Sequence, residues 1–137
     1  MTVSDNALRE LLTRARRIAV VGLSPRPQRP SHGVAAYLQA QGYRIIPVNP
    51  SHTEILGEPA YPDVRRIPET VDLVDVFRRP EHVPAVVEAA VDAGAAAVWL
   101  QPGADHGAAA QRAEAAGLMV VRERCLKVEH ARLLGQG

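Results

Sequence analysis

At 137 residues, 47% of them hydrophobic and 23% charged, the chain is long enough for one domain spanning residues 1–137 with a substantial core. Its net charge of +1 excludes the overall basic footprint of a nucleic-acid-binding protein, and no apolar run approaches the roughly 18 residues that would cross a bilayer. The single cysteine, Cys125, excludes an internal disulfide, and residues 1–10 lack the apolar core of a secretory signal, so the expected location is the cytoplasm.

Leu8, Leu11, Leu12 and Ala15 recur at helical spacing, which predicts an amphipathic helix over residues 4–15 with Ser4 or Asp5 as its cap. A β-branched run over residues 17–22 predicts the first strand. A loop with serines, arginines and prolines follows. Val34, Tyr37, Leu38 and Gln41 then mark a helix over residues 31–41, with Ser31 as a natural N-cap and Gly42 as its stop. The second strand covers residues 43–48, and Pro47 indicates that it is ending there. Residues 49–70 are irregular: Asn49-Pro50-Ser51-His52 reads as a turn, and Pro59-Ala60-Tyr61-Pro62 as a short edge segment.

The third main strand is residues 71–77. Val83, Val86, Val87, Ala90 and Val91 form the stripe of a helix that Gly94 ends. A fourth strand covers residues 96–101. Asp105 is placed to cap an alanine-rich helix that stops at Gly117, residues 118–121 form a fifth strand, and Leu126, His130 and Leu133 mark a last helix.

Three times a helix ends at a glycine and a strand follows at once, at Gly42, Gly94 and Gly117. Such alternation predicts an α/β fold: a doubly wound, Rossmann-like parallel sheet of five strands with helices on both faces. The expected order is 3-2-1-4-5, with the topological switch between strands 1 and 4. The loops after Gly22 and after Gln101 would then line one crevice.

The loop between the first strand and its helix suits a phosphate. Gly22 allows a backbone to approach a ligand closely, Ser24 and Ser31 offer hydroxyls, and Arg26 and Arg29 offer forked donors. Lys127 is the only lysine among 16 basic residues, so a phosphate must be met by arginines or backbone amides. The plainer reading is a proline-stiffened surface turn. Neither a Walker motif nor a G-x-G-x-x-G fingerprint is present. Where a typical NAD site carries an acid, this chain has Asn49. A carboxylate there would repel a ribose phosphate and an amide tolerates one, although Asn49 also suits the turn before Pro50.

Phe77 and Arg78, at the end of strand three, can reach a base and a phosphate, or Phe77 can fill the core. Gln101 can bond an amide-rich ligand arm or tie two loops together. The five histidines show no metal spacing; His32 and His106 fall near helix starts beside the crevice. Asp72 and Asp75 lie on opposite faces of a strand, and Cys125 reads as a small buried thiol.

Taken together, Ile18-Ala19-Val20-Val21-Gly22-Leu23-Ser24 with Pro25, Pro27 and Arg29-Pro30-Ser31-His32 resembles the stand-alone bacterial and archaeal CoA-binding proteins. So do Gly42-Tyr43-Arg44-Ile45-Ile46-Pro47-Val48-Asn49-Pro50, Asp75-Val76-Phe77-Arg78, Val98-Trp99-Leu100-Gln101 with Gly103, and Arg124-Cys125 with Glu129-His130. Those proteins are similar to the Rossmann-type CoA-binding domain of the succinyl-CoA synthetase α subunit. The resemblance implies coenzyme A, or a short acyl-CoA, at the carboxyl ends of the strands. It puts Gly22, Leu23, Ser24 and Arg26 at the phosphates and pantetheine, and Asn49 and Pro50 by the 3′-phosphoadenosine. Val76, Phe77 and Arg78 would border the adenine, and Gln101 the pantetheine. A 137-residue chain has no room for the phosphohistidine or ATP-grasp domains of the synthetases.

The expectation is therefore a non-catalytic carrier, buffer or regulatory module, with a protein partner or self-association as further options and no nucleic-acid or membrane partner. The alternative is an NAD(P)-binding enzyme or redox sensor on the same fold, and a third is a mixed disulfide between Cys125 and CoA.

Overall fold

The computed structural model describes residues 3–135; the four terminal positions of the expected 1–137 domain lie outside them. Helix α1, Asp5–Arg14, starts where Ser4 Oγ accepts from the Ala7 amide at 3.1 Å, and it buries Leu8 and Leu12. The chain continues through β1 (Arg17–Val21), α2 (Pro30–Ala40), β2 (Arg44–Val48), a small antiparallel pair β3 (Glu54–Ile55) and β4 (Glu58–Pro59), and β5 (Leu73–Val76). It closes with α3 (Val83–Asp92), β6 (Ala97–Leu100), α4 (Gly107–Ala115), β7 (Met119–Arg122) and α5 (Leu126–Leu133).

Five strands form one parallel sheet in the order β2-β1-β5-β6-β7. They are near-continuous apolar runs because both faces are covered. One face packs α3 and α4 over Ala19, Val21, Val74, Val76, Val98 and Val120. The other packs α1, α2 and α5 over Ile18, Val20, Leu73, Trp99 and Val121.

Beyond β2, Tyr61 makes a parallel bridge to Val48. Counting that edge segment as the third strand, the Rossmann-like 3-2-1-4-5 pattern holds, with β7 as a sixth position. The strand across the switch from β1 is β5, not β6, so the loop after Gly22 meets the loop after Val76 first and the loop after Leu100 one strand further out.

Pro47 lies one residue before the end of β2, in register with Val20. Its carbonyl accepts from the Tyr61 amide at 3.0 Å, so its missing N–H faces the edge and costs the β1 ladder nothing. Ser31 is not the cap of α2: Arg29 occupies that position and Pro30 begins the helix. Asp105 is not the cap of α4 either. His106 is, with Nδ1 accepting from the Ala109 amide at 3.1 Å, while Asp105 takes a two-pronged bond from Arg122 at 2.7 and 2.8 Å. That guanidinium holds the Asp105 carboxyl below its ordinary range.

Candidate functional site

The carboxyl ends of β2, β1 and β5 are zipped together at the switch. The Gly22 amide donates to the Val48 carbonyl at 3.0 Å, and the Phe77 amide to the Val21 carbonyl at 2.9 Å. Gly22 has φ +86°, and a Cβ there would overlap the Phe77 carbonyl oxygen. Only glycine lets the first loop leave β1 so close to the neighbouring strand.

That loop is locked by its own side chains. The Ser24 amide donates to Ser31 Oγ at 3.0 Å, and Ser24 Oγ accepts from the Arg26 amide at 3.1 Å. His32 Nδ1 sits 3.0 Å from the Ser24 carbonyl. Asn49 Nδ2 donates to the Leu23 carbonyl at 2.9 Å, and Asn49 Oδ1 accepts from the Ser51 amide at 2.7 Å. The turn reading of Asn49 is thus realised, and its amide also ties the second loop to the first. Leu23 turns its side chain wholly into the core.

A crevice of about 590 Å³ opens at this end of the sheet. Of the residues singled out from sequence, Gly22, Ser24, Arg29, Ser31, Phe77, Arg78 and Gly103 line it. A second crevice, of about 180 Å³, lies on the α3 side of Arg78 and is lined by Pro50, Pro62, His82 and Val86 among others. Arg78 borders both. Five of the remaining candidates, Leu23, His32, Asn49, Val76 and Gln101, line neither crevice. Leu23, Val76 and Gln101 are buried: Val76 packs in the α3–α4 layer, and Gln101 Nε2 donates to Asp75 Oδ1 at 2.7 Å. Arg26, the sixth, is exposed on the loop.

Sequence reasoning missed Arg79, Val34, Pro102 and Ala104, which share the wall with Pro30 and with Cys125, the thiol of the mixed-disulfide alternative. Cys125 is half-buried at the cap of α5 and faces the crevice, where the sequence predicts a small buried thiol. The signal that could have placed it is Trp99, whose indole N–H donates to the Arg124 carbonyl at 2.7 Å and pins the start of α5 beside β6. The histidines stay apart. His130 is buried and bonds Tyr37 at 2.9 Å, and desolvation lowers its pKa. His52 lies by Asn49.

The electrostatics of this end favour an anion. Arg26, Arg29, Arg78 and Arg79 form no ion pair among the described residues, whereas eight other arginines are paired. The N-terminus of α2 opens on the same crevice through Pro30 and Ser31, adding its positive dipole end, while the His32 and Gly33 amides donate to the Arg29 carbonyl at 3.1 and 3.2 Å. Beneath the site lies Asp75, a buried acid that forms no ion pair among the described residues.

Comparison with known proteins agrees in one direction. The family model described as a CoA binding domain matches residues 16–131. The Bacillus subtilis (strain 168) protein YneT is 44% identical over 128 residues, covering 93% of this chain and 95% of that one. A hypothetical protein from Pyrococcus horikoshii OT3 superimposes with a TM-score of 0.95 at 43% identity, covering 97% of this chain and 94% of that one. An Archaeoglobus fulgidus acetate–CoA ligase (ADP-forming) is 38% identical over 71 residues, which is 52% of this chain and 10% of the ligase.

Proposed function

The chain belongs to the CoA-binding domain family, and we propose that it holds coenzyme A, or a short acyl-CoA, in the crevice at the carboxyl ends of β1, β5 and β6. The observation that carries this reading is the convergence of unpaired arginines, the close-packed Gly22 turn and the α2 N-terminus on one open cleft. Coenzyme A carries a diphosphate and a 3′-phosphate, so it calls for forked cations. The residues present fit that demand without a lysine.

In this reading the diphosphate lies against the Gly22–Ser24 loop and the first turn of α2, with Arg26 and Arg29 as its charged donors. The base enters the smaller crevice beside Pro50, with Arg78 between base and phosphates. The pantetheine runs along Pro102, Gly103 and Ala104 toward Cys125. Ser24 and Ser31 commit their hydroxyls to the loop, and His32 its Nδ1 to a carbonyl. That supports binding, as a carrier, buffer or regulatory module of one cytoplasmic domain, over acyl transfer.

Calorimetric titration with CoA, dephospho-CoA, NAD and NADP tests the reading. The expected order of affinity is CoA first, dephospho-CoA next and the nicotinamide nucleotides last. A CoA dissociation constant weaker than about 1 mM, roughly 4 kcal/mol of binding, would sink it.

A further inference from the structure

The two strands that frame the crevice are joined just beneath it. Asp75 on β5 stands opposite Trp99, and Gln101 lies two residues past Trp99 on the same face. The Gln101 side chain therefore reaches back along its strand to make its bond to Asp75 Oδ1. Both residues are buried, Asp75 fully and Gln101 to within 2%. The second carboxyl oxygen, Oδ2, has neither a partner nor solvent contact.

Among the described residues no cation acts on the Asp75 carboxyl. Asp75 has Val20 and Trp99 as strand neighbours. The α2 and α5 helices bring Tyr37, Cys125 and His130 to this side of the sheet, and α1 brings the leucines Leu8, Leu11 and Leu12. Tyr37 and His130 bond each other. Desolvation raises the Asp75 pKa to about 7, with the Gln101 bond as the opposing influence. A carboxylate with an oxygen orphaned away from water is costly, and the neutral acid avoids that cost.

The pair also sits directly behind the ligand wall. Asp75 precedes Phe77 by two residues, and Gln101 immediately precedes Pro102; Phe77, Pro102, Arg78 and Arg79 all line the crevice. We propose that the Asp75–Gln101 pair couples capture of a nucleotide polyanion in the crevice to uptake of one proton by Asp75. The inference rests on the proposed CoA site above. A buried carboxylate repels the incoming phosphates through a medium of low dielectric, and the neutral acid does not. The proton comes from solvent and is held at Oδ2, while Oδ1 goes on accepting from Gln101; no other bond changes. By reciprocity, bound ligand raises the proton affinity of Asp75 by the factor that the proton raises ligand affinity.

The test is calorimetry with CoA in two buffers of different ionisation enthalpy, on the wild-type chain and on Asp75→Asn. The 13C carboxyl signal of Asp75 is followed across pH in the free and the CoA-loaded wild type. The ligand's own phosphomonoester titrates with both proteins and cancels in the difference. The expected result is extra proton uptake by the wild type near neutral pH. The ratio of wild-type to variant dissociation constants should grow about fivefold as Asp75 ionises, and its carboxyl should titrate higher in the loaded protein. Equal proton counts for both proteins with CoA bound, or an Asp75 signal titrating in the ordinary carboxylate range, would overturn the coupling alone. Absence of CoA binding at every pH would overturn the ligand reading and the coupling with it.

Discussion

Gly22 and Phe77 are in backbone contact across the switch between β1 and β5: the space that a Cβ on residue 22 would need is occupied by the Phe77 carbonyl. The contact fixes how far the first loop stands from the second, and so the width of the crevice between them.

Replacing Gly22 by alanine should therefore damage stability and site together. The residue has φ +86°, where a side chain costs on the order of 1–3 kcal/mol before the overlap is relieved. Urea denaturation should show a midpoint lowered accordingly, and calorimetry a weakened CoA. Wild-type stability in the variant would show that the loop moves freely.

The rim arginines should separate binding from folding. Arg29→Ala and Arg78→Ala each remove a charged donor worth roughly 1.5–3 kcal/mol to a phosphate, about a tenfold or greater loss of CoA affinity. Arg29 is exposed, so its removal should leave the melting temperature of the free protein within a degree or two. The loss should shrink at high salt. Melting that falls in step with affinity would make these side chains structural.

The pH dependence of stability should carry a signature of Asp75. Burial lifts its folded pKa to about 7, above the ordinary carboxylate range. The folded state thus binds the extra proton. The associated stability is complete below about pH 4 and disappears as pH rises through about 7, a swing of at most a few kcal/mol. Asp75→Asn should flatten that part of the profile, gaining on the wild type toward higher pH. Parallel profiles for the two proteins would mean that folding leaves the Asp75 pKa unshifted.

Trp99 tests the attachment of α5. It is fully buried, and its indole N–H is satisfied by Arg124. Trp99→Phe keeps most of the apolar bulk but orphans that carbonyl and leaves a small void, for about 1–3 kcal/mol. Proteolysis should then cut first near Arg124. A variant as stable and as resistant as the wild type would show that packing alone holds the helix.

The alternation of helices and strands was legible because each sheet strand is an apolar run followed by a glycine-stopped helix or preceded by one. The neighbour of β1 was harder to read. It turns on whether the segment ending at Tyr61 occupies a place in the sheet, and a single bridge to Val48 leaves no periodicity in the chain. Gly22 was visible from its residue type. Ser31 was misassigned because a serine before a helical pattern is a good cap locally, and only the folded loop shows that its hydroxyl is taken by Ser24. Gln101 was visible as an amide at a strand end, but its partner Asp75 is 26 positions away and became apparent only with the register of β5 and β6. Cys125 depended on a contact made by a tryptophan 26 residues before it.

The chain has a single tryptophan, and the indole of Trp99 is bonded to the residue just before Cys125, on the crevice wall. Its fluorescence therefore comes from one dry, hydrogen-bonded environment that is mechanically tied to the rim of the cleft. The protein carries its own optical gauge: emission from one ring, free of competing indoles, should register any shift of α5 as the cleft fills.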